Sequence, residues 1–208
     1  GAGPGGIFSA YELSKKSSLK IAVFEAGHEL QKRKCAIDGK KIRTCINCAS
    51  CSIMNGFGGA GAFSDGKYNI TNDFGGTLYE YIGKDKAIEL MKYVDEINVK
   101  YGGQDTKMYS TAGSNFKKLC MQNKLKLLDA SVRHLGTDIN YIVLENIYAE
   151  LKDKVDFYFH TPVDRLEILK DGGYRVYYDG GNRYADCRDC VVSVGRSGSK
   201  WMESVCAD

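Results

Sequence analysis

The 208-residue sequence has no apolar run approaching the ~20 residues that carry a helix across a bilayer, so a membrane-spanning helix is not expected. It also lacks a surplus of either charge. Lys and Arg number 29 against 26 Asp and Glu, a net charge of +3, and so small a balance recommends neither nucleic acid nor a membrane surface as partner. No internal repeat or low-complexity tract is present. Only three histidines occur, and no spacing joins a Ser, a His and an Asp or pairs two carboxylates, so hydrolytic chemistry has no positive support. No basic and apolar leader precedes the first residue, which is Gly and not Met; the opening reads as a fragment, and a reducing cytoplasm is the expected compartment.

What the chain does have is 43% hydrophobic residues, enough for a sizeable core, together with 24 Gly and 8 Cys. Glycine averages about 7% of residues. Nine of the 24 fall in two short stretches, Gly1 to Gly6 and Gly56 to Gly66, so the excess is local and belongs to loops with a task.

Gly1, Gly3 and Gly6 form G-x-G-x-x-G, with Pro4 and Gly5 between. A helical period begins immediately afterwards at Ile7, Ala10, Tyr11 and Leu13, followed by an apolar strand-like run from Lys20 to Phe24. In a β-α-β unit the first glycine makes a tight turn and the second admits a pyrophosphate. The third lets the helix pack close, and the helix start offers N–H groups to the phosphates. Glu25, 19 residues past Gly6, is placed to accept the ribose hydroxyls. Gly58, Gly59, Ala60 and Gly61 belong to a second stretch able to hug a planar or phosphorylated ligand, with Ser64, Asp65 and Lys67 adding polar contacts; Phe57 and Phe63 mark it as packed.

Further on, amphipathic stripes predict helices over 84–101 (Ala87, Leu90, Met91, Val94, Ile97, Tyr101), over 114–122, and from Thr137 or Asp138 through Ile139, Ile142, Val143, Ile147 and Leu151. Strands are expected at 124–128, 155–159, 163–169, 174–178 and 191–194. Asp171-Gly172 and Asp179-Gly180 supply hairpin turns.

The motifs G-A-G-P-G-G at the start, F-E-A-G (Phe24–Gly27), N-G-F-G-G-A-G-A-F-S-D-G-K (Asn55–Lys67), R-H-L-G-T-D (Arg133–Asp138) and V-S-V-G-R-S-G-S (Val192–Ser199) span nearly the whole chain. Together they resemble the FAD-binding half of glutathione-reductase-type flavoproteins, and more closely the bacterial FAD-dependent dehydrogenases. The resemblance implies an α/β fold: a Rossmann-like domain on a central parallel sheet with a helical and β-hairpin insertion, its first strand and C-terminal part missing. It implies residues 1–75 as the N-terminal FAD-binding unit, 76–153 as a mainly helical insertion belonging to a substrate domain, and 154–208 as strands returning to the FAD-binding domain. FAD would be held by Gly1, Gly3, Pro4, Gly5, Gly6, Glu25, Ala26 and Arg33, by Gly58 to Gly61, by Ser64, Asp65 and Lys67, and by Val163, Gly195, Arg196 and Ser197. The activity implied is hydride transfer between a small-molecule substrate or electron carrier and the flavin, with NAD(P)H a candidate redox partner. As a fragment, the chain alone is expected to bind FAD weakly.

Two features point beyond this. Arg133, His134 and Asp138 gather at a predicted helix start, where an anionic substrate group can bind, though a capped surface loop reads equally well. Cys35, with Cys45, Cys48 and Cys51 at C-x2-C-x2-C, supplies the ligands of an iron–sulfur cluster or a zinc; free thiols and a thiol pair exchanging with a disulfide are the other readings. A metal there would favour a different protein, a flavin- and metal-binding electron-transfer or redox-sensing module without its own substrate. Cys187 and Cys190 read as plain thiols.

Overall fold

A computed structural model describes residues 1–170 and 172–207. Asp171, assigned above to a hairpin turn, and Asp208 lie outside the described residues. The chain is mixed α/β and divides into two compact units, Gly1–Ala62 with Ile147–Asp208, and Phe63–Asn146.

In the first unit, Pro4 opens helix α1 (Pro4–Lys16) at the position where a missing N–H costs nothing. Its apolar face buries Ile7, Ala10 and Tyr11, and Lys15 and Lys16 lie in the last turn, where they complement the helix dipole. Strand β1 (Ala22–Phe24) pairs in parallel with β5 (Asp156–Tyr158), Val23 opposite Phe157. This two-stranded ladder is the parallel sheet among the described residues; a larger central one is not seen. Strands β6 (Val163–Ile168), β7 (Tyr174–Tyr178) and β8 (Arg183–Cys187) form an antiparallel meander. Its β7–β8 hairpin turns through Asp179, Gly180 and Gly181, all at positive φ, as the Asp-Gly signal predicts. Phe24 stacks on Tyr158 and packs against Tyr178, joining the meander to the parallel pair. Below lies an aromatic cluster: Phe57, fully buried, meets Tyr148 and Phe157 edge to face at 5.0 and 5.7 Å, and Phe157 stacks on Phe159.

The second unit has its own antiparallel sheet, which the sequence periods do not announce: β4 (Ser131–His134) lies between β2 (Lys67–Ile70) and β3 (Met108–Ser110). Its helices are α2 (Leu78–Ile82), α3 (Lys84–Asn98) and α4 (Phe116–Gln122). Helix α5 (Gly136–Leu151) runs from this unit into the other.

The predicted stripe of α3 largely faces inward: Ala87 and Ile97 are buried and Met91 and Val94 half-buried, while Leu90 is 45% exposed. Asp95 and Asn98 are buried with it. Asp95 meets Arg133, whose Nε and Nη2 donate to its carboxylate at 2.7 and 2.9 Å and whose Nη1 donates to the Thr106 carbonyl at 2.6 Å. Past Asn98 the helix widens into a π turn, Val99–Gly103, that ends at Gly102 with φ 138°. In α5, Val143, Ile147 and Leu151 are buried as expected, but Ile142 is exposed and Asn140 takes an interior place, accepting from the Tyr68 hydroxyl at 2.9 Å.

Two expected strands are absent. Residues 124–128 are irregular because Lys124 turns to φ 59° and the Leu125 N–H returns to the Cys120 carbonyl, making this segment the terminator of α4. Residues 191–194 have no ladder partner among the described residues, and Ser193 lies against Gly1 through its main chain and against Gly6 through its hydroxyl.

Arg133→Met is expected to leave Asp95 as an unpaired buried carboxylate and to lower the unfolding free energy by about 3 kcal/mol. Urea titration of the variant measures this, and a change under about 0.5 kcal/mol, the level of an ordinary surface substitution, would contradict the role given to the pair.

Candidate functional site

Four of the sequence motifs converge within the first unit. The Gly58 N–H donates to the Ala2 carbonyl at 2.8 Å, laying the second glycine stretch against the first. A Cβ on Gly59, which has φ 59°, would stand 3.1 Å from the Gly3 Cα, so Gly59 is what allows the backbones to touch. On the other side of the turn, a Cβ on Gly6 would fall 1.9 Å from the Gly1 carbonyl oxygen and 2.9 Å from the Ser193 hydroxyl, which itself donates to Gly1 O at 3.1 Å. Gly6 therefore does the packing work expected of the third glycine. Ser197 donates to Asn55 Oδ1 at 2.7 Å, and Asn55 in turn donates through Nδ2 to Ser50, whose hydroxyl reaches the Ala26 carbonyl. Residues 1–6, 26, 50–59 and 193–197 are thereby one connected assembly.

Glu25 sits at its centre and is buried. Oε2 accepts from the Ala2 N–H at 2.7 Å; Oε1 accepts from those of Gly27 and Gly56, both at 2.8 Å. Three of roughly four acceptor directions of the carboxylate are thus taken by main chain. Sequence reasoning assigns Glu25 to ribose hydroxyls; its first task in the structure is to tie the glycine turn, its own loop and the second glycine stretch together.

Arg33 has the complementary task. It is 4% exposed, and its guanidinium donates to four carbonyls: Ser52 through Nε, Phe57 and Gly59 through Nη1, and Ile53 through Nη2, at 2.7 to 2.9 Å. Burial lowers its affinity for the proton, and the Glu25 carboxylate works in the opposite direction. Arg33 is therefore a scaffold for the loop from Ser52 to Gly59. One arginine between two lysines gives no sequence sign of this; only the carbonyl-rich loop 20 residues later explains it.

The end of α1 that faces this assembly carries no side-chain cap and no acidic residue in its first turn. Apart from Gly59 Cα at 3.9 Å, a Cβ on Gly3 would meet nothing nearby, and Pro4 and Gly5 are exposed. Ala60, Gly61, Gly195, Arg196 and Ser197 are also exposed, and Arg196–Gly198 form a single tight turn before helix α6 (Ser199–Ala207) where a strand and turn were expected. Val163 begins β6 opposite Tyr178.

The other candidates are arranged differently. Ser64, Asp65 and Lys67 belong to the second unit, where Lys67 pairs with Asp65 at 2.6 Å and holds its carboxyl below the usual range. Arg133, expected to meet an anionic substrate, is committed to Asp95 and Thr106, while His134 and Asp138 are exposed. Cys35, Cys45 and Cys48 are exposed and Cys51 half-buried, all as free thiols. Among the described residues no group of three or more metal-ligating side chains is gathered, and no helix is long and apolar enough to cross a membrane.

No family model matches the chain. An uncharacterized protein of Clostridium beijerinckii is 26% identical over 198 residues, which is 95% of this chain and 30% of that protein's length. The chain thus spans under a third of this relative.

Replacing Arg33 by Met removes donors from four carbonyls that are otherwise buried or half-buried, and a loss of about 3 kcal/mol or more is expected, on the scale of ~1 kcal/mol net per hydrogen bond. Arg33→Lys, with the charge but without the planar fork, should recover only part of it. Equal stability of the Lys variant and the native chain, measured by thermal and urea unfolding, would show that the fork geometry is unimportant.

Proposed function

We propose that the chain is the FAD-binding part of an oxidoreductase that exchanges a hydride with a small-molecule substrate or electron carrier. The observation that carries this reading is the convergence of the two glycine stretches at the uncapped start of α1, with Gly58 bonded to Ala2 and Gly59 against Gly3. Such a surface offers main-chain N–H groups and no side chain to obstruct a phosphate, which fits a dinucleotide pyrophosphate.

The residues fit FAD as follows. Gly3, Gly5 and Gly6 would bind the pyrophosphate through the first turn of α1, with Pro4 fixing the helix start at no cost in donors. Glu25 retains about one acceptor direction for a ribose hydroxyl beyond its three main-chain bonds. Ala26 and Val163 would border the adenosine, and Gly58, Gly59, Ala60 and Gly61 would cover the phosphates. Gly195, Arg196 and Ser197 would close the site from the other side, linked to it through Asn55. Arg33 acts through the loop it shapes. When bound, FAD supplies two-electron hydride chemistry at its isoalloxazine; the protein's part is to hold, orient and tune it. NAD(P)H as electron donor belongs to the same proposal.

Full-length protein purified under anaerobic conditions is expected to show flavin absorption and to release FAD on denaturation. Gly3→Val should weaken FAD binding by about tenfold or more, that is at least 1.4 kcal/mol, with unfolding temperature little changed, because the side chain would project where a phosphate approaches. A colourless full-length protein that takes up no added FAD would refute the proposal.

A further inference from the structure

The chain's other two histidines are brought together by the fold. His28 follows the Glu25 loop after β1, and His160 follows β5, so both stand at the C-terminal ends of the two parallel strands. Main-chain bonds fix each of them: the His160 N–H donates to the Gly27 carbonyl and the His28 carbonyl accepts from the Phe57 N–H, both at 3.0 Å. His160 sits at φ 54°, a conformation a non-glycine residue holds at a cost. His160 Nε2 and His28 Nδ1 face each other at 2.5 Å.

The separation is shorter than an ordinary hydrogen bond, and the ring planes are 89° apart with centroids 3.7 Å apart, so one ring meets the other edge-on. A cation between the two nitrogens would satisfy both lone pairs. Two ligands at 2.0–2.1 Å from one ion stand about 3.0–3.4 Å apart, so the rings need to open by under about 1 Å. His28 is half-buried and His160 exposed, which leaves room for water to complete the coordination. Glu29 and Lys32, which follow His28 in sequence, are paired with each other and add little net charge.

We propose that His28 and His160 form an open binding site for a divalent transition-metal ion of the imidazole-preferring kind, such as Ni2+ or Zn2+. In it His160 presents Nε2 and His28 presents Nδ1 to the ion, each keeping its proton on the outer ring nitrogen toward water. The site is separate from the cysteines and does not rest on the flavin reading.

The test uses the full chain with Cys35, Cys45, Cys48, Cys51, Cys187 and Cys190 replaced by Ser, which removes the close-spaced thiolates that would compete. Calorimetric titration with Ni2+ is expected to give one ion per chain. His28→Asn and His160→Asn should each weaken binding by at least about tenfold, and His134→Asn, at the remaining histidine, should leave it unchanged. Asn is chosen at 160 because it tolerates positive φ, so the backbone is kept, and the metal-free unfolding temperature of each variant checks the fold. Unchanged Ni2+ affinity in His28→Asn or in His160→Asn, or its loss in His134→Asn, would overturn the proposal.

Discussion

The first unit is organised around one buried carboxylate accepting from three main-chain N–H groups far apart in sequence. Glu25 takes its hydrogen bonds from Ala2, Gly27 and Gly56, and so fixes where the glycine turn, the end of β1 and the second glycine stretch stand relative to one another. Charge-assisted bonds of this kind are about twice as strong as neutral ones. Without them the two glycine-rich backbones, which have few side chains of their own to hold them, would have little reason to adopt a single conformation. Arg33 answers from the opposite chemistry, a cation feeding carbonyls. Acid and base here recognise backbone, and what they recognise is the loop that would carry the proposed cofactor.

The second unit follows the same economy with side chains in place of main chain. Its interior accepts Asp95 and Asn140, because a half-buried Arg133 requires an anion and Tyr68 requires an acceptor. Burying such groups is costly unless each finds a partner, and an ion pair with an added carbonyl contact meets that condition. A polar interior of this sort contributes to a single packing arrangement more than to gross hydrophobic stability.

These two cases explain what could be read from the residues alone. Helix α1, the strand after it, α5 and strands β6 and β7 follow local period and turn chemistry, and their positions were legible to within a residue or two, whereas β8 was not expected. The glycine motif also announced its own packing: Gly6 is the residue that nothing larger could replace. Partner-dependent features were not legible. The burial of Asp95 on α3 depends on an arginine 38 residues away, and the sheet β2–β4–β3 is built from strands too short to show a period. The expected strand at 191–194 has the right composition but its ladder is not among the described residues. Within the candidate site, the types of Glu25 and Arg33 were informative, whereas their partners are main-chain atoms that every residue carries and no sequence pattern displays.

Ser193 touching Gly1 has a consequence for the order of events in synthesis. A ribosome emits the chain in sequence order at roughly 5–20 residues per second. The glycine turn is made 192 positions before the residue that seals it, and β1 must likewise wait for β5. Residues 63–146, contiguous in the chain, are complete well before Ser193 is made. Over that interval the nascent protein carries an open glycine turn, and until β5 is made an unpaired β1 edge, so helix α1 depends on whatever else shields Ile7, Ala10 and Tyr11 from water.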